Sequence, residues 1–185
     1  METLRQLIDR EGPLDLRRAA QCVVEVADQL AAIHISGRVF RDVRPSSIFL
    51  DQLGRATFPK LDLRVPDAAA IYGASADVDS LDDAVDFLAP EQALNSLAVD
   101  ARADIYSLGC TFYFVLTARP PFAGGSASER LLKHQTARRP DLREMRAGVP
   151  AEIAELCSEM LEKNATDRPP NAHAISERLR AWLEK

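Results

Sequence analysis

Apolar residues recur at helical spacing through most of the chain. Residues 2–10 (ETLRQLIDR) form a short helical stretch that ends at Gly12-Pro13. Asp15 is placed to cap a longer helix whose apolar positions are Ala19, Val23, Val26, Ala27, Leu30 and Ile33, with Gly37 as its stop. The period then changes. A loop containing Pro45 leads into Ile48-Phe49-Leu50, the chain turns at Asp51-Gln52-Leu53-Gly54, and Ala56-Thr57-Phe58 returns, which predicts one small hairpin. Residues 64–86 show no periodicity and hold six aspartates with no basic residue after Arg64, as expected of a long acidic loop.

The remainder is helical again. Residues 100–117 are apolar nearly all round, the pattern of a central buried helix. Ser126 and Glu129 have capping-box spacing ahead of Leu131-Leu132. Pro150 suits a helix start, followed by the stripe Ile153, Leu156, Met160 and Leu161. Asn171 can cap a last helix built on Ile175, Leu179, Trp182 and Leu183. The predicted fold class is mainly α with one small β-hairpin, forming one domain over residues 1–185.

Composition narrows the function classes. The chain has 185 residues, of which 46% are apolar and only 6% aromatic, so an aliphatic core is expected. With a net charge of −5 and no strongly basic stretch, nucleic acid and anionic membrane are poor partners. Cys22, Cys110 and Cys157 lie far apart with no C-x-x-C pair, which predicts neither a zinc site nor a disulfide framework and fits a reduced, cytoplasmic setting. Residues 105–116 form the longest nearly apolar run, too short to span a bilayer, and the first twelve residues lack the apolar run of a secretion signal.

The polar loops carry a resemblance. The stretch from Leu30 through His34, Gly37, Phe40-Arg41-Asp42 and Arg44-Pro45 to Ser47 resembles the end of a protein-kinase helix and its catalytic loop, H-R-D-x-K-P-x-N. Leu61-Asp62-Leu63-Arg64 follows the hairpin where kinases carry D-F-G, and Ala89-Pro90-Glu91 matches A-P-E. Asp100 to Gly109 is similar to the start of the central kinase helix, and Pro120-Pro121-Phe122 and Asp167-Arg168-Pro169 match later landmarks. Each triplet alone is weak; their order and spacing over nearly the whole length identify a member of the serine/threonine protein kinase family, of bacterial type. The fold implied is the carboxy-terminal lobe of that family.

The resemblance implies a site. Asp42 stands at the position of the general base that accepts the substrate hydroxyl's proton; on residue type alone it can also be read as a loop aspartate capping backbone N–H groups. Arg44 replaces the lysine near the transferred phosphate, with a planar fork in place of a compact ammonium, and can also be read as a solvated surface arginine. Magnesium-ATP is the family's cofactor, and Asp62 and Ser47 occupy its metal-side positions. Ser47 replaces an asparagine, and its shorter hydroxyl weakens the second magnesium site. Arg64 replaces a glycine and is placed to pair with Asp62. Phe40 replaces the catalytic-loop histidine. Arg41 is retained, with the loop aspartates as candidate partners. Asp83-Ala84 stands where the family prefers Gly-Thr, so the threonine that braces the catalytic loop is missing.

Fold landmarks are better kept. Glu91 is expected to pair with Arg168, Asp104 to accept backbone N–H bonds from the catalytic loop, and His34 to be a buried, hydrogen-bonded helix residue. As the chain stands, Glu2 to Gly12 resembles the helix after the kinase hinge, and no Gly-rich loop or V-A-I-K strand is visible. Two functional expectations follow. The first is a catalytically impaired, pseudokinase-like module that binds a protein partner over the face an amino-terminal lobe would cover. The second is the carboxy-terminal lobe of an active ATP-dependent kinase whose other lobe lies upstream or on another chain.

Overall fold

The structure is a computed structural model that describes residues 1–58, 83–94 and 99–185. Eight α-helices and one two-stranded antiparallel sheet are defined among these residues: α1 (Leu4–Glu11), α2 (Leu16–Ile35), β1 (Phe49–Leu50), β2 (Ala56–Thr57), α3 (Pro90–Leu94), α4 (Arg102–Thr117), α5 (Ala127–Thr136), α6 (Leu142–Met145), α7 (Ala151–Met160) and α8 (Ala172–Leu183). A 3₁₀ turn (Ala165–Asp167) precedes α8. The mainly helical reading with a single hairpin holds. None of the described helices is long and apolar enough to cross a membrane.

The helix ends follow local chemistry. Asp15, Ser126 and Asn171 accept N–H bonds at the starts of α2, α5 and α8, as their positions predict, and Ser126 and Glu129 complete the expected capping box. A second capping box, Thr3 with Gln6, starts α1 two residues later than the apolar pattern suggested. The sequence reading also missed α6, whose single turn is too short for periodicity to reveal.

Helix α4 is the axis of the core. Fourteen consecutive residues, Ala103 to Leu116, are buried, so it has no solvent face and packs on α2 and α7 at once. Gly109 permits the α7 approach: a Cβ there would lie 2.8 Å from Met160 Cβ and 3.3 Å from its backbone carbon. Helix α2 also lies along α8, where Ile175 and Leu179 are fully buried and Trp182 and Leu183 close the edge. Helix α5 departs from expectation. Leu132 is exposed and His134 is its buried residue, so the helix lies on the surface and plugs the body with an imidazole.

A sheet of two residues per strand cannot stand alone, and α2 holds it. Phe49 pairs with Thr57 and Leu50 with Ala56. Glu25 accepts from Ala56 N at 2.7 Å, while Gln29 donates to Ala56 O and accepts from Phe58 N and the Thr57 hydroxyl. The outer edge is met by Thr3, which bridges to Phe49, and by Leu50 N donating to Glu2 O. The hairpin and α1 thereby fix both ends of the loop between them and α2.

Candidate functional site

The loop from Ser36 to Ile48 is pinned at its buried residues. Val43 and Ile48 lie in the core, and the Thr111 hydroxyl of α4 donates to Val43 O. Two N–H groups at the start of α1 have no helical partner and are satisfied by this loop: Leu4 N donates to Ile48 O and Arg5 N to Pro45 O.

Asp104 organises the loop from behind. It is 1% exposed, and its carboxylate accepts from Phe40 N at 2.7 Å, from Arg41 N at 2.7 Å and faces His34 Nε2 at 2.8 Å. Arg41 adopts the left-handed conformation, φ 68°, which a non-glycine residue holds only when its neighbours dictate it. The dictating contacts are Asp104 on its N–H and Gln92 Nε2 on its carbonyl, at 3.1 Å. Gln92 belongs to α3 and also accepts from Ala89 N, so the A-P-E segment and the catalytic-type loop share one side chain. Among the described residues the Arg41 guanidinium has no ion-pair partner; the aspartates proposed for it fall largely within residues 59–82, outside the described residues. Phe40 stacks on Phe58 of the hairpin, ring centroids 4.0 Å apart.

Glu91 and Arg168 are brought together across 77 positions. The guanidinium is wholly buried and forms a two-pronged pair with Glu91, at 2.6 and 2.9 Å. Its remaining hydrogens go to the carbonyls of Glu162, Lys163 and Arg102, and it lies over the Tyr106 ring. Every charge and donor in this anchor is satisfied.

The front of the loop is wired differently. Arg44 Nε donates to Asp42 Oδ1 at 2.7 Å, and Arg44 Nη1 reaches Asp83 Oδ2 at 3.3 Å. Arg44 is therefore neither solvated nor turned outward. Asp83 also accepts from Arg5 Nη1 of α1 at 2.9 Å and from the Ser46 hydroxyl. Burial pushes the Asp42 carboxyl above its ordinary range, while the charge and hydrogen bond of Arg44 oppose that push. A cavity of about 10 Å³ between Asp42, Arg44, Phe87 and Ser107 has room for one water. Where the sequence reading placed a lost threonine brace, an ionic brace exists instead. The signals missed were Arg5, Ser46 and Gln92, each ordinary in its local context.

Ser47 serves the loop itself. Its hydroxyl donates toward Asp42 O and Arg44 O and accepts from Arg44 N. An oxygen so engaged does not fit the second magnesium of the family's cofactor, which needs a ligand facing the nucleotide side. Asp62 and Arg64, and the ion pair expected between them, lie outside the described residues. Among the described residues, no group of three or more His, Cys, Asp or Glu is placed to hold a metal ion.

A carboxylate-organised loop following a buried helix, a stacked hairpin and a glutamate–arginine anchor together define a protein kinase carboxy-terminal lobe. Comparison with known proteins agrees: the protein kinase domain family matches residues 1–179, and the chain belongs to that family. Its relatives are bacterial serine/threonine kinases. It is 31% identical over 182 residues to serine/threonine-protein kinase PknB of Mycobacterium tuberculosis, covering 98% of this chain and 28% of the relative. It is 34% identical over 184 residues to serine/threonine-protein kinase PkaA of Streptomyces coelicolor (98% and 32%), and 32% identical over 178 residues to serine/threonine-protein kinase pkn2 of Myxococcus xanthus (92% and 21%). The chain thus spans under a third of the length of each of these relatives.

Proposed function

We propose that this chain is a kinase-family module with impaired phosphotransfer that acts by holding a protein partner. The observation that carries this reading is the engagement of Asp42 by Arg44 and of Arg44 by Asp83. Phosphotransfer in this family is positioning plus charge neutralisation, with an aspartate facing the acceptor hydroxyl and a cation facing the moving phosphoryl group. Here the two groups at those positions satisfy each other. Ser47 adds to the reading, because its hydroxyl is committed to the loop backbone. The partner is proposed to be a protein, met in a reducing compartment suited to three buried free thiols.

Calorimetric titration of the purified chain with ATP, with and without Mg²⁺, tests the proposal. The expected outcome is no heat and no thermal shift at millimolar nucleotide. Magnesium-dependent binding would overturn it.

One observation favours a second reading, a working lobe of an ATP-dependent kinase completed by sequence elsewhere. The rear anchors are intact, and the Asp42 side chain keeps 34% exposure, so an acceptor hydroxyl still has a path to it. Phosphotransfer appearing on addition of a nucleotide-clasping lobe would establish this alternative.

A further inference from the structure

Lys163, half-buried at the carboxy-terminal turn of α5, has surroundings unlike those of the other described lysines. Its Nζ donates to His134 O at 2.7 Å and to Lys133 O at 3.2 Å, two carbonyls at the end of that helix. It also lies 4.0 Å from the centroid of the Phe122 ring and 5.9 Å from that of Tyr106. Among the described residues no carboxylate pairs with it, because its neighbour Glu162 takes Arg139. The charges facing it besides Glu162 are the guanidiniums of Arg139 and Arg168; burial keeps the nearby Cys110 thiol protonated and the His134 imidazole neutral. Burial, with those arginines, lowers the Lys163 amine to about 8. The other two lysines are held differently. Lys133 Nζ also donates to two carbonyls, Ala123 O and Gly124 O, but lies over no ring among the described residues. Lys185 is clasped by both oxygens of Glu152. An ammonium has three N–H donors, whereas a neutral amine has two and a lone pair. Two carbonyls need only two donors, so losing the third proton breaks neither bond at Lys163.

We propose that Lys163 is a site of Nε-acylation by an activated acyl donor, an acyl phosphate or an acyl thioester, and that the modification loosens α5 from the body. The neutral Nζ attacks the acyl carbon. A C–N bond forms as the bond from that carbon to the phosphate oxygen or thioester sulfur breaks. Phosphate or thiolate leaves with the electron pair, and the nitrogen gives one proton to solvent. The amide product is uncharged and keeps a single N–H. One helix carbonyl then loses its lysine donor, the attraction to the Phe122 ring disappears, and the cation at the end of α5 is removed. The acyl group must also be housed against Phe122, whose ring meets His134 edge-on at a centroid distance of 4.9 Å. His134 is the buried residue that seats α5, so a change at Lys163 reaches the helix at its anchor. Helix α5 in turn holds Asp86 through Arg130, at 2.8 Å, and loosening it would free the segment before Ala89 on that side.

The chain has four lysines, Lys60, Lys133, Lys163 and Lys185, so labelling can be resolved site by site. The unaltered chain is treated at pH 8 with acetyl phosphate or, separately, with an acetyl thioester, and each lysine is quantified by peptide mass spectrometry. Lys163 is expected to take the label about tenfold faster than Lys133 or Lys185. At that pH about half of its amine is neutral, against under about 1% for an ordinary lysine, and burial offsets part of the advantage. The donor that favours Lys163 more strongly over Lys185 assigns the source of the acyl group. Hydrogen exchange then compares chains with and without acetyl at Lys163. Amides of α5 should exchange about tenfold faster in the acetylated chain, while those of α4 stay unchanged. Lys163→Arg keeps a cation and its donors but cannot be acylated. After the same treatment its α5 amides should behave as in its untreated form, which separates Lys163 from Lys133 on α5 itself. Labelling of Lys163 no faster than that of Lys133 and Lys185, unchanged α5 exchange once Lys163 is acetylated, or equal loosening in treated Lys163→Arg overturns the proposal.

Discussion

The back and the front of this lobe both rely on carboxylate–guanidinium pairs, and they do so in opposite ways. At the back, Glu91 and Arg168 form a closed pair around a wholly buried guanidinium whose other hydrogens all reach carbonyls. At the front, Arg5, Asp83, Arg44 and Asp42 form an open ladder of alternating charge, with side chains between 14% and 40% exposed. A buried pair is costly to break because the survivor is left charged in a poor solvent; an exposed pair is cheap to exchange because water replaces the partner. The rear therefore behaves as construction, and the partly exposed front as contacts that contribute less to stability.

Breaking the rear should have the largest effect. Arg168→Ala is expected to cost about 3–5 kcal/mol in urea unfolding, with little recovered by Arg168→Lys, since an ammonium cannot serve both Glu91 oxygens and three carbonyls. Asp104→Ala should cost about 2–4 kcal/mol by orphaning Phe40 N and Arg41 N, and should also release amide exchange protection at those two positions. Gly109→Ala is expected to destabilise by about 1–3 kcal/mol through the clash with Met160, outweighing its gain in helix propensity. At the front, Asp83→Asn should change the unfolding free energy from urea titration by less than about 1 kcal/mol. A loss there as large as that of Arg168→Ala would erase the distinction between the two regions.

A pH series sharpens the same contrast. His134, buried under α5 beside Tyr106, is pushed down to about 3, chiefly because burial disfavours its cation and further because Lys163 lies near. Its proton affinity is lower in the folded than in the unfolded chain. Its contribution to stability is therefore fully present above about pH 6.5 and is lost as pH falls from there toward 3, by up to about 1.4 kcal/mol per pH unit. In His134→Gln the fall in unfolding free energy over that window should be shallower. An unchanged slope would show that another group sets the acid response.

The sequence made the rear legible and left the front half-read. Glu91, Arg168 and Asp104 sit in motifs whose spacing survives, and motif order points to the Glu91–Arg168 pair and to the loop N–H groups on Asp104; the His34 contact with Asp104 was not foreseen. Capping residues such as Asp15, Ser126 and Asn171 were equally readable, because their chemistry acts within three residues. The Asp83 brace was not, since its partners lie 37, 39 and 78 positions away in segments with no shared motif. Arg44 illustrates the limit: its sequence context offered a phosphate-facing cation or a surface arginine, and only the fold places a carboxylate on each side of it. His134 was missed because a lone imidazole on a polar helix carries no periodic signal.

Arg41 bears on how the molecule assembles. Its left-handed backbone is held from both sides by residues of later helices, Asp104 of α4 and Gln92 of α3. A short peptide of the loop sequence would not adopt that bend, because strain of order 1–3 kcal/mol would have no offset. The loop's shape is thus a product of docking and not of its own residues. During folding it must wait for α3 and α4, and during local opening it should be among the first segments to relax once α3 lifts away. The candidate site would then be created and dissolved in one cooperative event with the A-P-E helix.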